Sequence, residues 1–347
     1  MRKPGTGLSG VIRARRLMLL FAFSMIGVRC PAAERWDDVW IEPVSTDDRR
    51  IRFSPRNVIH RKGSVESFDA KTMIFLDSKQ TAEDEGESSS LQVASSRVIW
   101  VEPGFDDDAT IVAIQTFRVG NFKESIAPLL EAINRRPTVW RAQWLSMHLW
   151  QAAYQAQRYP ATLELINQID ARPLPAMLVG GLPIHWTSER MPPEAMAAAS
   201  QILANDASLE ATKLVAASWL LRQPGDSQAY AVLEAIARQN ARPSLAQLAS
   251  VLIWRKAPPP SIRENRQQWQ ATLRTLPMTM NPGPMFLLAD RLEASGEKET
   301  SLELFLSVAV TPSRPHSIAK MAKLRAGEIL IQVGQPDAAE RVADVKP

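Results

Sequence analysis

Cysteine is all but missing from this sequence: among 347 residues only Cys30 carries a thiol. Disulfides therefore contribute nothing to its stability, and an oxidising compartment poses it no pairing problem. Histidine is nearly as scarce. His60, His148, His185 and His316 lie far apart, with no second metal-binding residue at helical or loop spacing, so no metal centre is expected. No His-Glu-x-x-His, Walker loop or Gly-x-Ser-x-Gly occurs, and neither a cofactor nor a catalytic residue is assigned. Long apolar runs are lacking too. The apolar segment 17–28 has twelve residues, too few for a membrane span.

That segment has another reading. Arg2, Lys3, Arg13, Arg15 and Arg16 precede it and the small Ala32 and Ala33 follow, which is the layout of an export signal ending near residue 33. Arg15-Arg16 also admits the twin-arginine route. Arg29, just before Cys30, stands where lipoprotein signals carry a small residue. Cleavage at 33 makes the mature chain periplasmic or extracellular. It also removes six basic residues and no acids, turning a formal charge of +4 into 4 − 6 = −2. The high pI of the whole chain then gives no support to nucleic acid as a partner. Gly5-x-Gly7-x-x-Gly10 matches a dinucleotide fingerprint, but it lies in this leader with no strand before it.

Residues 34–103 alternate short apolar runs with turn chemistry, as in Val39-Trp40-Ile41, Ile51-Arg52-Phe53, Val58-Ile59, a run over 63–68, a run over 72–76 and another over 97–101. Near-period-two Val, Ile, Phe and Trp predict strands, and Asp69-Ala70-Lys71 predicts a tight hairpin between two of them. The acidic stretch 83–87 with the serines after it predicts a solvated loop. Five or six strands in so short a region predict a small closed barrel, because closure removes open edges. Gly63, Asp69, Met73 and Asp77 resemble the first motif of Sm-type RNA-binding barrels. Ile74 replaces that family's asparagine, its Arg-Gly motif is absent, and residues 34–108 hold 10 basic against 17 acidic residues. Phosphate binding by such a surface is disfavoured, and the likeness reads as the hairpin grammar of SH3-like barrels.

From Asp108 the period becomes helical. Asp106-Asp107-Asp108 predicts an N-terminal cap for an apolar stripe running through Phe117. Further helices are predicted over 193–204, 208–222, 226–242, 244–256, 262–276, 283–294, 297–310, 317–333 and 337–343, with Ser208 and Asp226 as caps and Pro258 to Pro260 as a break. Helices of this length joined by short turns make α-α hairpins, which must stack to bury their apolar sides.

Within this series Gly120, Phe122, Ser125, Leu129, Ala132 and Pro137 have the spacing of a helical-repeat unit. They resemble the second helix of the tetratricopeptide (TPR) family, although Thr110, Ile111 and Val112 stand where that family has a large aromatic. Looser copies carry Tyr159, Thr162, Ile166 and Ile169; then Gly296, Ser301, Phe305 and Val308; then Gly334, Ala339 and Ala343. The resemblance implies an α+β multidomain chain: a small SH3-like β-barrel over 34–103 followed by a TPR-like α-solenoid over 104–347. It also implies a non-enzymatic scaffold for protein or peptide partners. In such solenoids the first helix of each pair lines the concave side. Carried over, this points to Thr110, Ile114, Phe117, Arg118, Trp144, Met147, Gln151 and Tyr154.

Two features stand outside the repeat pattern. The loop Gly180-Gly-Leu-Pro-Ile-His-Trp-Thr187 mixes glycines with His185 and Trp186, and it is the candidate for a specific site, including an enzymatic or binding role on envelope polymers. Ten tryptophans are unusually many, and Trp140 and Trp144 share a helical face with His148; gap-filling between stacked helices is the expected use. Ser317-x-x-Lys320 has the spacing of a penicillin-binding nucleophile, but its companion motifs are lacking and a serine opening a helix is an ordinary cap.

Overall fold

A computed structural model describes residues 36–43, 58–78, 90–221, 226–311 and 316–344, all within one compact unit, Glu34–Pro347. The leader, the expected strand at 51–53 and the acidic stretch 83–87 lie outside the described residues.

The N-terminal part is one antiparallel sheet of strands β1 (Asp37–Ile41), β2 (Ile59–Phe68), β3 (Thr72–Asp77), β4 (Ser90–Ala94) and β5 (Val98–Glu102) in the order β4-β3-β2-β1-β5. Asp69-Ala70-Lys71 makes the β2–β3 turn, with the Asp69 carboxylate accepting the amides of Lys71 (2.7 Å) and Thr72 (2.9 Å). β4 was not foreseen. Leu91 and Val93 do alternate, but the strand is short and abuts a polar stretch. A single 3-10 turn, Ser95–Arg97, links β4 to β5.

The expected closure into a barrel is not made: the sheet is open, with β4 and β5 at its two edges. Residues 176–180 and 278–280 of the helical part lie against β5. Val39, Val65, Met73, Phe75 and Val101 form the buried face.

Fourteen α-helices follow among the described residues. They are α1 (Asp108–Arg118), α2 (Phe122–Asn134), α3 (Val139–Gln155), α4 (Tyr159–Ile169), the single-turn α5 (Ala176–Gly180), α6 (Pro193–Leu203) and α7 (Glu210–Leu220). The series continues with α8 (Asp226–Ala237), α9 (Pro243–Ile253), α10 (Pro259–Thr275), α11 (Pro282–Ala294), α12 (Lys298–Val310), α13 (His316–Gln332) and α14 (Pro336–Asp344). Most of them pack chiefly on their neighbours in sequence, with lesser contacts to the helix beyond, as expected of stacked hairpins; α5 is the exception and packs on β5 and on the 3-10 turn Met278–Met280.

Caps follow chemistry more than sequence proximity. Asp107 caps α1, its carboxylate accepting the Thr110 amide at 2.8 Å. Ser208 does not cap α7: Asn167 accepts the Leu209 amide and Asp170 the Ala211 amide, each at 2.8 Å. A carboxylate brought in by α4 meets the positive end of α7 and is held there by Arg242, a better arrangement than a local hydroxyl. Pro259 and Pro260 do not merely end a helix but open α10, where a missing amide hydrogen costs nothing.

Four turns between helices share one geometry. Gly120, Gly296 and Gly334 have φ of 87°, 88° and 76°, and Gln157 takes the same left-handed place at 59°. At Gly120 the amide donates to Phe117 O (3.0 Å) and the next amide to Thr116 O (3.1 Å). The same two bonds recur after Tyr154, Glu293 and Ile331, which makes each a Schellman closure of the first helix. Five residues past each left-handed position stands a buried small side chain: Ser125, Thr162, Ser301 or Ala339. At one of them the Ser301 hydroxyl donates across the pair to Ala289 O at 2.8 Å.

Sheet and helices are tied by Asp37. It is fully buried on β1, and its carboxylate accepts the amides of Val65 and Gly104 and pairs with Arg141 of α3, all at 2.8 Å. On the same helix the indole N–H of Trp140 donates to Val65 O (3.1 Å) and that of Trp144 to Val101 O (2.8 Å).

Two outcomes follow from these contacts. Asp37→Ala strands two amides and a guanidinium, and should cost about 3–5 kcal/mol in urea unfolding. Gln157→Gly should raise stability by about 0.5–1 kcal/mol, whereas Gly120→Ala, where no neighbour crowds an added Cβ, should lower it by about 1 kcal/mol. Equal effects of both turn substitutions in urea would refute the shared-turn account.

Candidate functional site

Residues 174–187 interrupt the stacked helix pairs after α4 and run through the interior before the chain surfaces at 188–190. Leu174, Met177, Leu178, Leu182, Ile184 and Trp186 are all buried. Burying a connecting segment demands partners for its main chain. Helices on several sides supply them. Trp150 and Gln151 of α3 both donate to Gly181 O at 3.1 Å, and Trp219 of α7 donates to Pro183 O at 2.9 Å. The Ser218 hydroxyl accepts the His185 amide at 3.1 Å, and the Arg255 guanidinium donates to His185 O. Glycines let the packing close: a Cβ at Gly180 would overlap the Thr279 carbonyl, and one at Gly283 would overlap the Trp186 indole.

Under this segment lies a cavity of about 390 Å³. Tyr154, Tyr159 and Trp186 supply aromatic walls, and Met191, Met280 and Met321 supply flexible thioethers. Exposed Glu189 and Arg190 also line it. Tyr154, Tyr159 and Trp219 form a ring cluster with centroids 5.6–6.0 Å apart. Burial pushes the Tyr154 hydroxyl up to about 12 and raises that of Tyr159, so both stay protonated at neutral pH.

His185 is a structural clasp. Its Nε2 donates to Glu189 O at 2.6 Å, closing the 185–189 turn, and Thr187 Oγ1 lies 3.4 Å from the same nitrogen. Burial lowers the imidazole to about 4, with Arg255 adding to the fall and the Glu189 bond opposing it. The ring is therefore neutral at pH 7, and the bond shown for its Nε2 goes to a main-chain carbonyl rather than a carboxylate.

The structure divides the concave-face residues. Thr110, Ile114, Phe117, Trp144, Met147 and Gln151 are buried: α1 packs on α2 and α3, while α3 meets the sheet and the 174–187 segment. Their side chains offer no surface for docking. Trp144 and Phe117 instead pack against His148, the first tilted with its centroid 3.9 Å away and the second edge-on at 4.9 Å. Arg118 is exposed and paired with Glu102. Tyr154, His185 and Trp186, by contrast, meet at the cavity.

The opposite wall, Thr279 to Gly283 with Ile318 and Met321, comes from positions far along the chain. Its only trace in the sequence is the breaker cluster Pro277, Pro282, Gly283 and Pro284. Among the described residues no group of three or more His, Cys, Asp or Glu side chains is placed to hold a metal ion, and no helix is long and apolar enough to cross a membrane.

Compared with protein-family models, curated proteins and solved structures, the chain matches none.

The His185 geometry carries a signed pH dependence. An imidazole at about 4 when folded and near its ordinary 6.5 when unfolded contributes fully above pH 6.5. Its contribution is lost as pH falls toward 4, amounting to about 2–3 kcal/mol by pH 4.5. His185→Gln keeps a donor for Glu189 O and should flatten this acid limb by that amount in urea unfolding at pH 7.5 and 4.5. An unchanged limb would place the titration elsewhere.

Proposed function

We propose that this chain is an exported, non-enzymatic binding protein in which a TPR-like solenoid and an SH3-like β domain act as the scaffold, and that its partner engages the cavity under residues 181–192. Several observations support this reading. Helix pairs stack in sequence order through turns that repeat one hydrogen-bond pattern, the behaviour expected of a repeat array. The order β4-β3-β2-β1-β5, with a 3-10 turn before the last strand, accords with the SH3-like reading of the sheet. The cavity carries the most weight. It is the place where the loop singled out in the sequence, three aromatic rings and two distant helical segments converge.

Its polar groups favour holding over transforming. The His185 ring is neutral and spends its Nε2 bond on the main chain, and both tyrosines hold their protons. An enzyme acting on envelope polymers would need a base matched to working pH and within reach of its proton donor. The partner is a protein or peptide, presented to the rim at Glu189 and Arg190.

The test uses the mature chain with a photoreactive benzoylphenylalanine at Gln155, on the cavity wall, or at Val112, on the exposed side of α1. Irradiation in envelope extract should give a discrete crosslinked product from position 155 and none from 112. Equal labelling at both positions, or labelling at 112 alone, would overturn the assignment.

A further inference from the structure

We propose that the cavity under residues 181–192 takes an uncharged aromatic group of about two rings; the assignment rests on the binding reading above and names the chemistry that site selects. Size gives the first argument. A dry cavity of about 150 Å³ accommodates benzene, and 390 Å³ is between two and three times that. A fused pair of rings with a short attached chain fits such a space.

Wall composition gives the second. Tyr154, Tyr159 and Trp186 line it, and a guest ring placed against an aromatic wall is favoured beyond the area it buries. Met191, Met280 and Met321 add polarisable sulfur, which favours aromatic over saturated neighbours and adapts to the shape of the guest.

Charge gives the third. The fixed charges on the lining belong to Glu189 and Arg190, both exposed, while the inner titratable groups, His185 and the two tyrosines, are neutral at pH 7. An ion drawn past the rim would lose its hydration without a buried counter-charge.

Such a group has two sources, a free small molecule or a tryptophan-like side chain of a peptide. Calorimetric titration of the mature chain with 2-naphthol, its saturated analogue decahydro-2-naphthol, 2-naphthoate and a blocked Ala-Trp-Ala peptide separates them. The proposal expects 2-naphthol to bind about tenfold tighter than either analogue. A peptide tighter than 2-naphthol by a further tenfold identifies the side-chain source; parity or weaker binding of the peptide identifies a free small molecule and overturns the protein or peptide partner of the reading above.

Gln155→Trp and Ile318→Trp, which fill the cavity from α3 and α13, should each abolish binding while the helical circular-dichroism melt is retained; two variants guard against misfolding of one. Binding of 2-naphthoate or the saturated alcohol as tight as that of 2-naphthol would overturn the proposal, as would undiminished binding in both filled variants. Should the aromatic probes fail while position 155 still crosslinks a partner, the ligand class is wrong and the binding site stands. Failure of both removes the site.

Discussion

An indole N–H bonded to a buried main-chain carbonyl is the contact on which this fold most depends. Trp140, Trp144, Trp150 and Trp219 are almost wholly buried, and each donates to a carbonyl of a strand or of the interior segment: Val65, Val101, Gly181 and Pro183. A large apolar body with one donor at its edge suits that role. It fills space between helices while satisfying an acceptor that water cannot reach. Without such donors, a non-helical segment lodged among helices would carry unpaired carbonyls at about 1–3 kcal/mol each.

This contact explains why sheet, interior segment and helices share a core. Two indoles and the Asp37–Arg141 pair fasten α3 to the sheet, and the next turn of α3, with Trp150 and Gln151, grips Gly181. One helix thus faces a strand at its beginning and the interior segment further along. The cavity is a by-product of that geometry. Residues 179–192 bridge α3 and α7 on one side and meet Thr279–Gly283 on the other, and the rings along the bridge leave space that their own shapes do not fill.

Much of the architecture was legible in the residues. Near-period-two runs marked β1, β2, β3 and β5, and Asp69 marked its hairpin because an aspartate can satisfy two turn amides from one side chain. Gly120, Gly296 and Gly334 marked turns because their left-handed backbone excludes most other residues. Gln157 was opaque for the same reason, since nothing about glutamine announces a positive φ. The Asn167 and Asp170 caps of α7 were hidden because capping requires proximity in space, and a motif read along the chain sees only neighbours.

The concave face shows where inference along the chain reached its end. A helix-pair pattern states that one side of α1 and α3 is apolar, but not what covers it. In this chain the cover is intramolecular: α1 packs on α2 and α3, and α3 packs on the sheet and the 174–187 segment. By itself the sequence determined the helix pairs, the small strand-rich region and the unusual loop at His185 and Trp186, because local propensity, periodicity and turn chemistry act over a few residues. Tertiary structure alone decided that the sheet stays open, that Thr110, Trp144 and Met147 are core, and that Tyr154, Trp186 and Met280 meet around one space. Those outcomes hang on which apolar surfaces find each other over long separations, a many-body competition for burial that no short window encodes.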